Sequence, residues 1–257
     1  HSASAHFSHE LGSAIKVWKD DGAEYFGFWH LSHPQDAFGD NSQVSFAAHN
    51  EVVELKRIAA SAKFVDGKIS NPHSKIKNNL QMHDVEGYNR SSKILHDALM
   101  NNPEFIDFAF PEKFAPPLIT RYQPGMNYGL HADSAIIPMP EGPLRSDLSC
   151  TVFLSDVNDC KGGALNVTFG EAGMRFKGLP GTAIVYPSHT LHEVEPVTEG
   201  ERMVAITFIQ SKIPDVTNRN LLYELNEVAA LEGLTMKHEN YTRLQAGQYN
   251  LMRKWMR

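Results

Sequence analysis

The fold class predicted for this chain is mainly β with flanking helices, centred on two packed antiparallel sheets, a jelly roll. Three observations carry that prediction. From residue 118 to residue 211 short apolar or alternating runs follow one another closely, each ended by Gly, Pro or Asp; this is the cadence of an antiparallel sandwich. On both flanks of that region the apolar residues change to helical spacing. The chain also has the means to bury a substantial core: 257 residues, 42% hydrophobic and 21% charged.

Residues 1–13 are polar and lack the basic start and apolar centre of a secretory signal, so they read as a tail. Ala14-Ile-Lys-Val-Trp18 and Tyr25-Phe-Gly-Phe-Trp29 flank the turn cluster Lys19-Asp-Asp-Gly22 and predict a hairpin that covers the core. Residues 33–42 read as a polar linker. Val52, Leu55, Ile58, Ala59 and Ala62 give residues 48–62 one apolar helical face. Residues 64–69 read as two short extended runs about Asp66-Gly67, and 76–82 as one strand. A second helix is expected over 87–101, with Ile94, Leu95, Ala98 and Leu99 on its buried side and Asn102-Pro103 as its stop. Pro111, Pro116 and Pro117 then keep the chain extended.

Within the central region strands are expected at 118–122, 128–131, 148–154, 164–169, 174–176, 182–186, 191–194 and 203–210. Leu179-Pro180-Gly181 is the tightest turn, and Gly162-Gly163 opens a strand where a side chain would obstruct a close approach. Beyond Pro214, residues 216–231 and 237–256 read as two helices broken near Gly233. Leu221, Leu222, Leu225, Val228 and Leu231 mark a buried stripe on the first. The expected organisation is one domain: tail and hairpin (1–45), helical and strand support (46–115), sandwich core (116–213) and C-terminal helices (214–257).

A net charge of −6 gives no general pull toward phosphate backbones or anionic lipid, and no apolar run is long enough to cross a bilayer. The two cysteines, Cys150 and Cys160, form no Cys-x-x-Cys pair. They suggest neither a disulfide framework nor a zinc ribbon, and a reducing, cytoplasmic setting is expected. Cys150 falls within the apolar pattern 148–154 and reads as a small core residue.

The chemistry is concentrated in Arg121-Tyr-Gln-Pro-Gly-Met-Asn-Tyr-Gly-Leu-His131-Ala-Asp133. In an extended chain residues two apart face the same way, so His131 and Asp133 present an imidazole and a carboxylate side by side. In a chain with 13 His such a pair alone is commonly a surface or capping feature. A third ligand, His192, would complete two His and one carboxylate on one face of an octahedral ion, leaving the opposite face free, as a non-haem Fe(II) oxygenase requires. Arg202 follows ten residues later, beyond a turn at Glu199-Gly200-Glu201. If His192 and Arg202 lie on adjacent antiparallel strands, a planar guanidinium suited to bidentate capture of a carboxylate enters the same cavity.

The set His131-x-Asp133, His192 and Arg202 resembles the signature of Fe(II)- and 2-oxoglutarate-dependent dioxygenases. More narrowly, Arg121-Tyr122, Tyr128-Gly129-x-His131-x-Asp133, Arg145-Ser-Asp-Leu-Ser149, Phe153-Leu-Ser-Asp156, Gly162-Gly163 and Tyr186-Pro-Ser188 resemble the bacterial PKHD-type hydroxylases, relatives of prolyl and lysyl hydroxylases. The likeness runs from about residue 46 to the C-terminus. It implies a double-stranded β-helix fold and a catalytic domain.

The resemblance also implies Fe(II) as cofactor, held by His131, Asp133 and His192 as catalytic metal ligands, and 2-oxoglutarate and O2 as co-substrates, with ascorbate as a stimulant. In that reading Arg202 anchors the distal carboxylate of 2-oxoglutarate, and Tyr122 donates a hydrogen bond in the same pocket or is merely a half-buried strand aromatic. The Tyr-Pro-Ser-x-x-Leu-His pattern selects His192 over His189. Asp133 argues for hydroxylation rather than halogenation, because related halogenases lack that carboxylate. Phe153 stands where related prolyl hydroxylases of the human type place a second tyrosine, so Arg202 acts with a different helper. Arg145, Asp147 and Asn78 read as structural, and residues 136–144 as a substrate-facing lid.

The expected reaction is hydroxylation of an unactivated C–H bond, of a prolyl or other protein side chain or of a small metabolite, with release of succinate and CO2. The alternative is a non-enzymatic jelly-roll module that binds a metal for structure or sensing. A nucleic-acid demethylase would need a basic groove, which the acidic balance disfavours. A membrane role is not expected, and a homo-oligomer is left open.

Overall fold

Two antiparallel sheets face each other, and the larger also carries the helices on its outer side. The computed structural model describes residues 16–18, 49–170 and 172–257. The larger sheet runs Lys16–Trp18, Ala183–Pro187, Leu148–Phe153, Arg202–Ser211, Leu118–Tyr122, Leu80–Met82, Phe64–Asp66, with Pro111–Phe114 paired to the far end of Arg202–Ser211. The smaller sheet runs Ala172–Phe176, Leu165–Phe169, His192–Val194, Asn127–His131, Lys77–Asn78. Of the hairpin expected at 14–29, Lys16–Trp18 is a strand paired with Ala183–Pro187. The rest of that hairpin, the tail and the linker lie outside the described residues.

Because the larger sheet is covered on both faces, Leu148–Phe153 and Ala183–Pro187 are buried at every position, the pattern expected of a doubly covered strand. Period-2 alternation sorts the side chains into two cores. Leu148, Cys150, Val152, Ala183, Val185, Ala205 and Ile209 pack toward the helices, against Leu55, Leu95, Leu99, Phe105 and Leu222. Phe153, Ile184, Tyr186 and Val204 face the other way, meeting Leu165, Val167, Phe176 and Val194 of the smaller sheet. Each fully buried Leu contributes about 1.5–3 kcal/mol, and it is this interior that keeps the site dry.

Helices expected over 48–62 and 87–101 occur at His49–Ser61 and Val85–Met100, the second capped by Asp84, whose carboxylate accepts from the Gly87 N–H at 2.6 Å. A further helix, Pro103–Ala109, was not expected. Asn102-Pro103 does end one helix, but Asn102 Oδ1 also accepts from the Phe105 N–H at 2.8 Å and Pro103 sits in the first turn, so the same dipeptide starts the next.

Several expectations are corrected. Residues 64–69 are a strand, Phe64–Asp66, followed by a 3₁₀ turn, Gly67–Ser70, because the Asp66 side chain accepts from the Lys68 N–H. The single strand expected at 76–82 is two, Lys77–Asn78 in the smaller sheet and Leu80–Met82 in the larger, the chain crossing over at Asn79. Two ribbons were missed, Ile136–Ile137 with Leu144–Arg145 and Cys160–Gly162 with Val197–Gly200.

The C-terminal helices are Val216–Glu232 and His238–Trp255, but of the stripe assigned to the first only Leu222 is buried. Leu221, Val228 and Leu231 are exposed, and the face turned to the protein carries Arg219, Leu222 and Tyr223. The helix is apolar on more than one side, so its spacing alone did not select the buried face.

Candidate metal centre and anion pocket

His131 ends one strand of the smaller sheet and His192 begins the next, and the register makes them direct cross-strand partners. Their ring centroids lie 4.2 Å apart. Asp133, two residues beyond His131, is tied back by its N–H to the Ser188 carbonyl at 3.1 Å. One donor atom from each of His131, Asp133 and His192 lies within 4.8 Å of the others; Nε2 of His131 is 3.8 Å from Asp133 Oδ1 and Nε2 of His192 is 3.6 Å from Oδ2. This is a spacing that can hold one divalent ion.

Local hydrogen bonds aim the imidazoles. Nδ1 of His131 lies 2.7 Å from the Gly129 carbonyl and Nδ1 of His192 lies 2.9 Å from the Thr190 carbonyl. A carbonyl can only accept, so each Nδ1 carries the proton and each Nε2 lone pair faces the shared point. Burial, and then the neighbouring His192, push His131 below its ordinary pKa and favour the neutral form that ligation needs. Tyr128 stacks on His131 at 3.7 Å and Tyr186 meets His192 edge-on at 5.0 Å, restricting both rings.

The carboxylate has its own support. Ser149 donates to Asp133 Oδ2 at 2.6 Å, Ser149 and Ser188 hydroxyls are 2.8 Å apart, and Ser188 and Ser146 hydroxyls 2.7 Å apart. A hydroxyl has one proton, and the carboxylate claims that of Ser149; Ser188 then donates to Ser149 and Ser146 to Ser188. All three serines are buried. In the sequence Ser146, Ser149 and Ser188 stand out only as parts of motifs. The available signal was Ser149-x-Thr151 alternating with Leu148, Cys150 and Val152, polar residues on one face of an otherwise apolar strand.

Arg202 is not on a strand adjacent to His192, as expected. It starts Arg202–Ser211 in the larger sheet while His192 lies in the smaller, because Val197–Gly200 carries the chain from one sheet to the other. The side chain still enters the interior. Arg202 is a direct cross-strand partner of Tyr122, its guanidinium lies 5.0 Å from that ring, and its Nη1 is buried with no hydrogen-bond partner. Burial pulls its pKa down, yet a guanidinium stays charged, so the interior holds a cation with an unfilled donor.

Tyr122 accepts a hydrogen bond from Asn79 Nδ2 at 3.0 Å. The charges of both Arg202 and Asp133 act on the phenols of Tyr122 and Tyr186. Burial holds both phenols protonated. Phe153 lies in the same interior cluster with no hydroxyl to offer.

Gly163 leaves room for the arginine. Its φ is +66°, and a Cβ there would come within 2.9 Å of Val197 Cγ2 and 3.1 Å of Arg202 Cδ.

Other candidates fall outside the centre. His189 is exposed. Arg145 forks onto Asp147 at 2.8 and 3.0 Å, Asp147 also accepts from the Ser211 N–H, and Asn78 Nδ2 donates to the Gly125 carbonyl at 3.0 Å. These contacts tie elements together, as expected. Cys150 is buried in the helix-side core, and burial drives its thiol pKa well above the ordinary value. The segment expected as a lid carries the Ile136–Ile137 ribbon, whose base is held by Ser146 N–H on the Ala135 carbonyl.

Comparison with known proteins establishes the family. Residues 117–210 match the model of the 2OG-Fe(II) oxygenase superfamily. A PKHD-type hydroxylase of Sphingopyxis alaskensis is 65% identical over 214 residues, 83% of this chain and 98% of the relative. One from Janthinobacterium sp. is 36% identical over 214 residues, 80% of this chain and 93% of the relative. Among solved structures, a prolyl hydroxylase from Trichoplax adhaerens in complex with a hypoxia inducible factor oxygen degradation domain peptide fragment aligns with a TM-score of 0.49 and 17% identity, over 67% of this chain and 80% of that one. Among the described residues no helix is long and apolar enough to cross a membrane. The family brings Fe(II) as cofactor and 2-oxoglutarate and O2 as co-substrates, and makes the chain a dioxygenase that hydroxylates; it belongs to the PKHD-type hydroxylases of the 2OG-Fe(II) oxygenase superfamily.

Proposed function

We propose that His131, Asp133 and His192 hold the iron, that Arg202 and Tyr122 bind 2-oxoglutarate, and that the substrate is a C–H bond of a protein side chain, prolyl among the candidates. The observation that carries this reading is a buried guanidinium with an unpartnered Nη1 on the same interior as a His, Asp, His cluster. A metal held for structure alone needs no such anion anchor.

The donor set fits the metal: two neutral imidazoles and one carboxylate occupy three positions and leave the rest open. The buried guanidinium offers the co-substrate an anchor: its distal carboxylate would satisfy Arg202 Nη1 and accept the Tyr122 proton. Iron with 2-oxoglutarate and O2 supplies an oxidant for the C–H bond, with succinate and CO2 as by-products. The chain's own residues bind, orient and exclude water. Arg202 fixes one end of the co-substrate, the serine chain fixes Asp133, and Leu165, Val167, Phe176 and Val194 keep the interior dry. Ascorbate would act only by keeping the iron reduced. The two free buried thiols support a cytoplasmic setting, and residues 1–257 are read as one catalytic domain.

The test is succinate release by the Fe(II)-loaded protein with O2, 2-oxoglutarate and a panel of prolyl peptides and small metabolites. A hydroxylated peptide supports the reading, and a hydroxylated metabolite redirects the substrate class. An iron-loaded protein that neither binds nor consumes 2-oxoglutarate overturns it in favour of a metal-binding module.

A further inference from the structure

Asn79 sits where the chain leaves the smaller sheet for the larger, between Lys77–Asn78 and Leu80–Met82. Its backbone is pinned, since its carbonyl accepts from the Gly67 N–H at 2.8 Å. So is its side chain. Asn79 is buried, and a Cβ on Gly67 would fall 1.9 Å from Asn79 Oδ1. The amide therefore fills the space that any larger residue at 67 would take. From that seat Nδ2 donates to the Tyr122 hydroxyl at 3.0 Å, while Oδ1 has no hydrogen-bond partner.

A phenol has one proton to give and lone pairs to receive. With Asn79 donating into a lone pair, the Tyr122 proton is left free. Arg202, facing Tyr122 across the strand pair, leaves Nη1 free as well. Two donors from different residues thus lack an acceptor on one side of the interior.

We propose that Asn79 is a positioning residue for 2-oxoglutarate: by donating to the Tyr122 oxygen it prevents that hydroxyl from turning its proton toward the protein and commits it to the co-substrate carboxylate. This rests on the assignment of Arg202 and Tyr122 to the 2-oxoglutarate pocket. Asn79 touches no reacting atom. It takes the part that Phe153 cannot, making one tyrosine a directed donor where a second tyrosine is missing. The reverse arrangement, an acceptor at 79, would draw the phenol proton away and turn a lone pair toward the incoming anion.

The experiment measures 2-oxoglutarate affinity by calorimetry on the Mn(II)-loaded protein without O2, for wild type, Asn79→Ala, Asn79→Ser, Asn79→Asp, Tyr122→Phe and Asn79→Ala/Tyr122→Phe. Metal affinity and Tm are recorded in parallel. Binding by wild type tests the parent reading separately. Loss of one directed hydrogen bond predicts about 3–10-fold weaker binding for Asn79→Ala and Asn79→Ser. Asn79→Asp, isosteric and an acceptor, is expected to lose more than about tenfold. In the Tyr122→Phe background the alanine change should cost less than about twofold, since its target is gone.

Metal affinity should hold within about twofold throughout, because Asn79 reaches no ligand. Asn79→Asp binding 2-oxoglutarate as wild type does, or equal losses from Asn79→Ala with and without the Tyr122 hydroxyl, would overturn the proposal. If alanine does not fold, Asn79→Ser and Asn79→Asp still decide it.

Discussion

Ser149→Ala removes the 2.6 Å hydrogen bond on Asp133 Oδ2, and with it the 2.8 Å hydrogen bond between Ser149 and Ser188. The carboxylate sits on the segment after a strand end, and its side chain is 14% exposed. Without Ser149 it can turn toward water, and metal binding must bring it back. A hydrogen bond to a charged acceptor is worth about 1.5–3 kcal/mol, and each 1.4 kcal/mol is about tenfold. The expected loss of metal affinity is therefore roughly 10–100-fold, the range typical of groups that orient a ligand from behind.

The serine chain adds an internal control, because its members act in series. Ser188→Ala leaves the Ser149 bond in place but removes the donor polarising it, and should cost about threefold, with Ser146→Ala smaller still. The assay is anaerobic Fe(II) or Mn(II) titration by calorimetry, with Tm to confirm folding. Metal affinity within twofold of wild type for a folded Ser149→Ala protein, or a larger loss for Ser146→Ala than for Ser149→Ala, would refute this account of the chain.

Arg202→Met should abolish measurable 2-oxoglutarate binding, a loss above about 100-fold for a truncated charge partner, while metal affinity changes little; equal losses of both, read by calorimetry, would place the guanidinium elsewhere. Gly163→Ala combines a strained φ with crowding against Arg202 Cδ, so it should lower stability by about 1–3 kcal/mol and raise KM for 2-oxoglutarate, measured by denaturant unfolding and succinate release. Leu222→Ala, in the helix-side core, should cost about 2–5 kcal/mol in urea unfolding. Leu221→Glu on the exposed side of the same helix should stay within about 0.5 kcal/mol, and a larger loss from it than from Leu222→Ala would put Leu221 on the buried face.

What was legible in the sequence and what was not divides along physical lines. His131 and Asp133 were readable as a pair because spacing of two on an extended chain is a local property. The strands of the sandwich were readable for the same reason, their alternation being local. The 3₁₀ turn at Gly67 and the second role of Asn102-Pro103 depend on one side-chain hydrogen bond each, which composition does not reveal. The buried face of Val216–Glu232 depends on which side meets the sheet, a tertiary fact. Asn79 was unreadable for a stronger reason: it lies at a crossover between sheets, inside what scanned as one continuous strand.

The site itself is a product of register. His131 faces His192 because Asn127–His131 and His192–Val194 pair in one alignment, and Arg202 faces Tyr122 because Arg202–Ser211 and Leu118–Tyr122 pair in one alignment. A slip of one residue in Arg202–Ser211 would exchange faces along the whole strand. Arg202 would turn into the helix-side core and Met203, now packed there, into the anion pocket. Binding the Ser155 hydroxyl to the Met203 N–H at 2.6 Å, and the Glu201 N–H to the Asp159 carbonyl at 3.1 Å, holds the alignment at the end that carries the arginine. The loop from Ser155 to Asp159 contributes no metal ligand, yet together with the pairing to Leu148–Phe153 and Leu118–Tyr122 it fixes which face of the sheet receives the guanidinium.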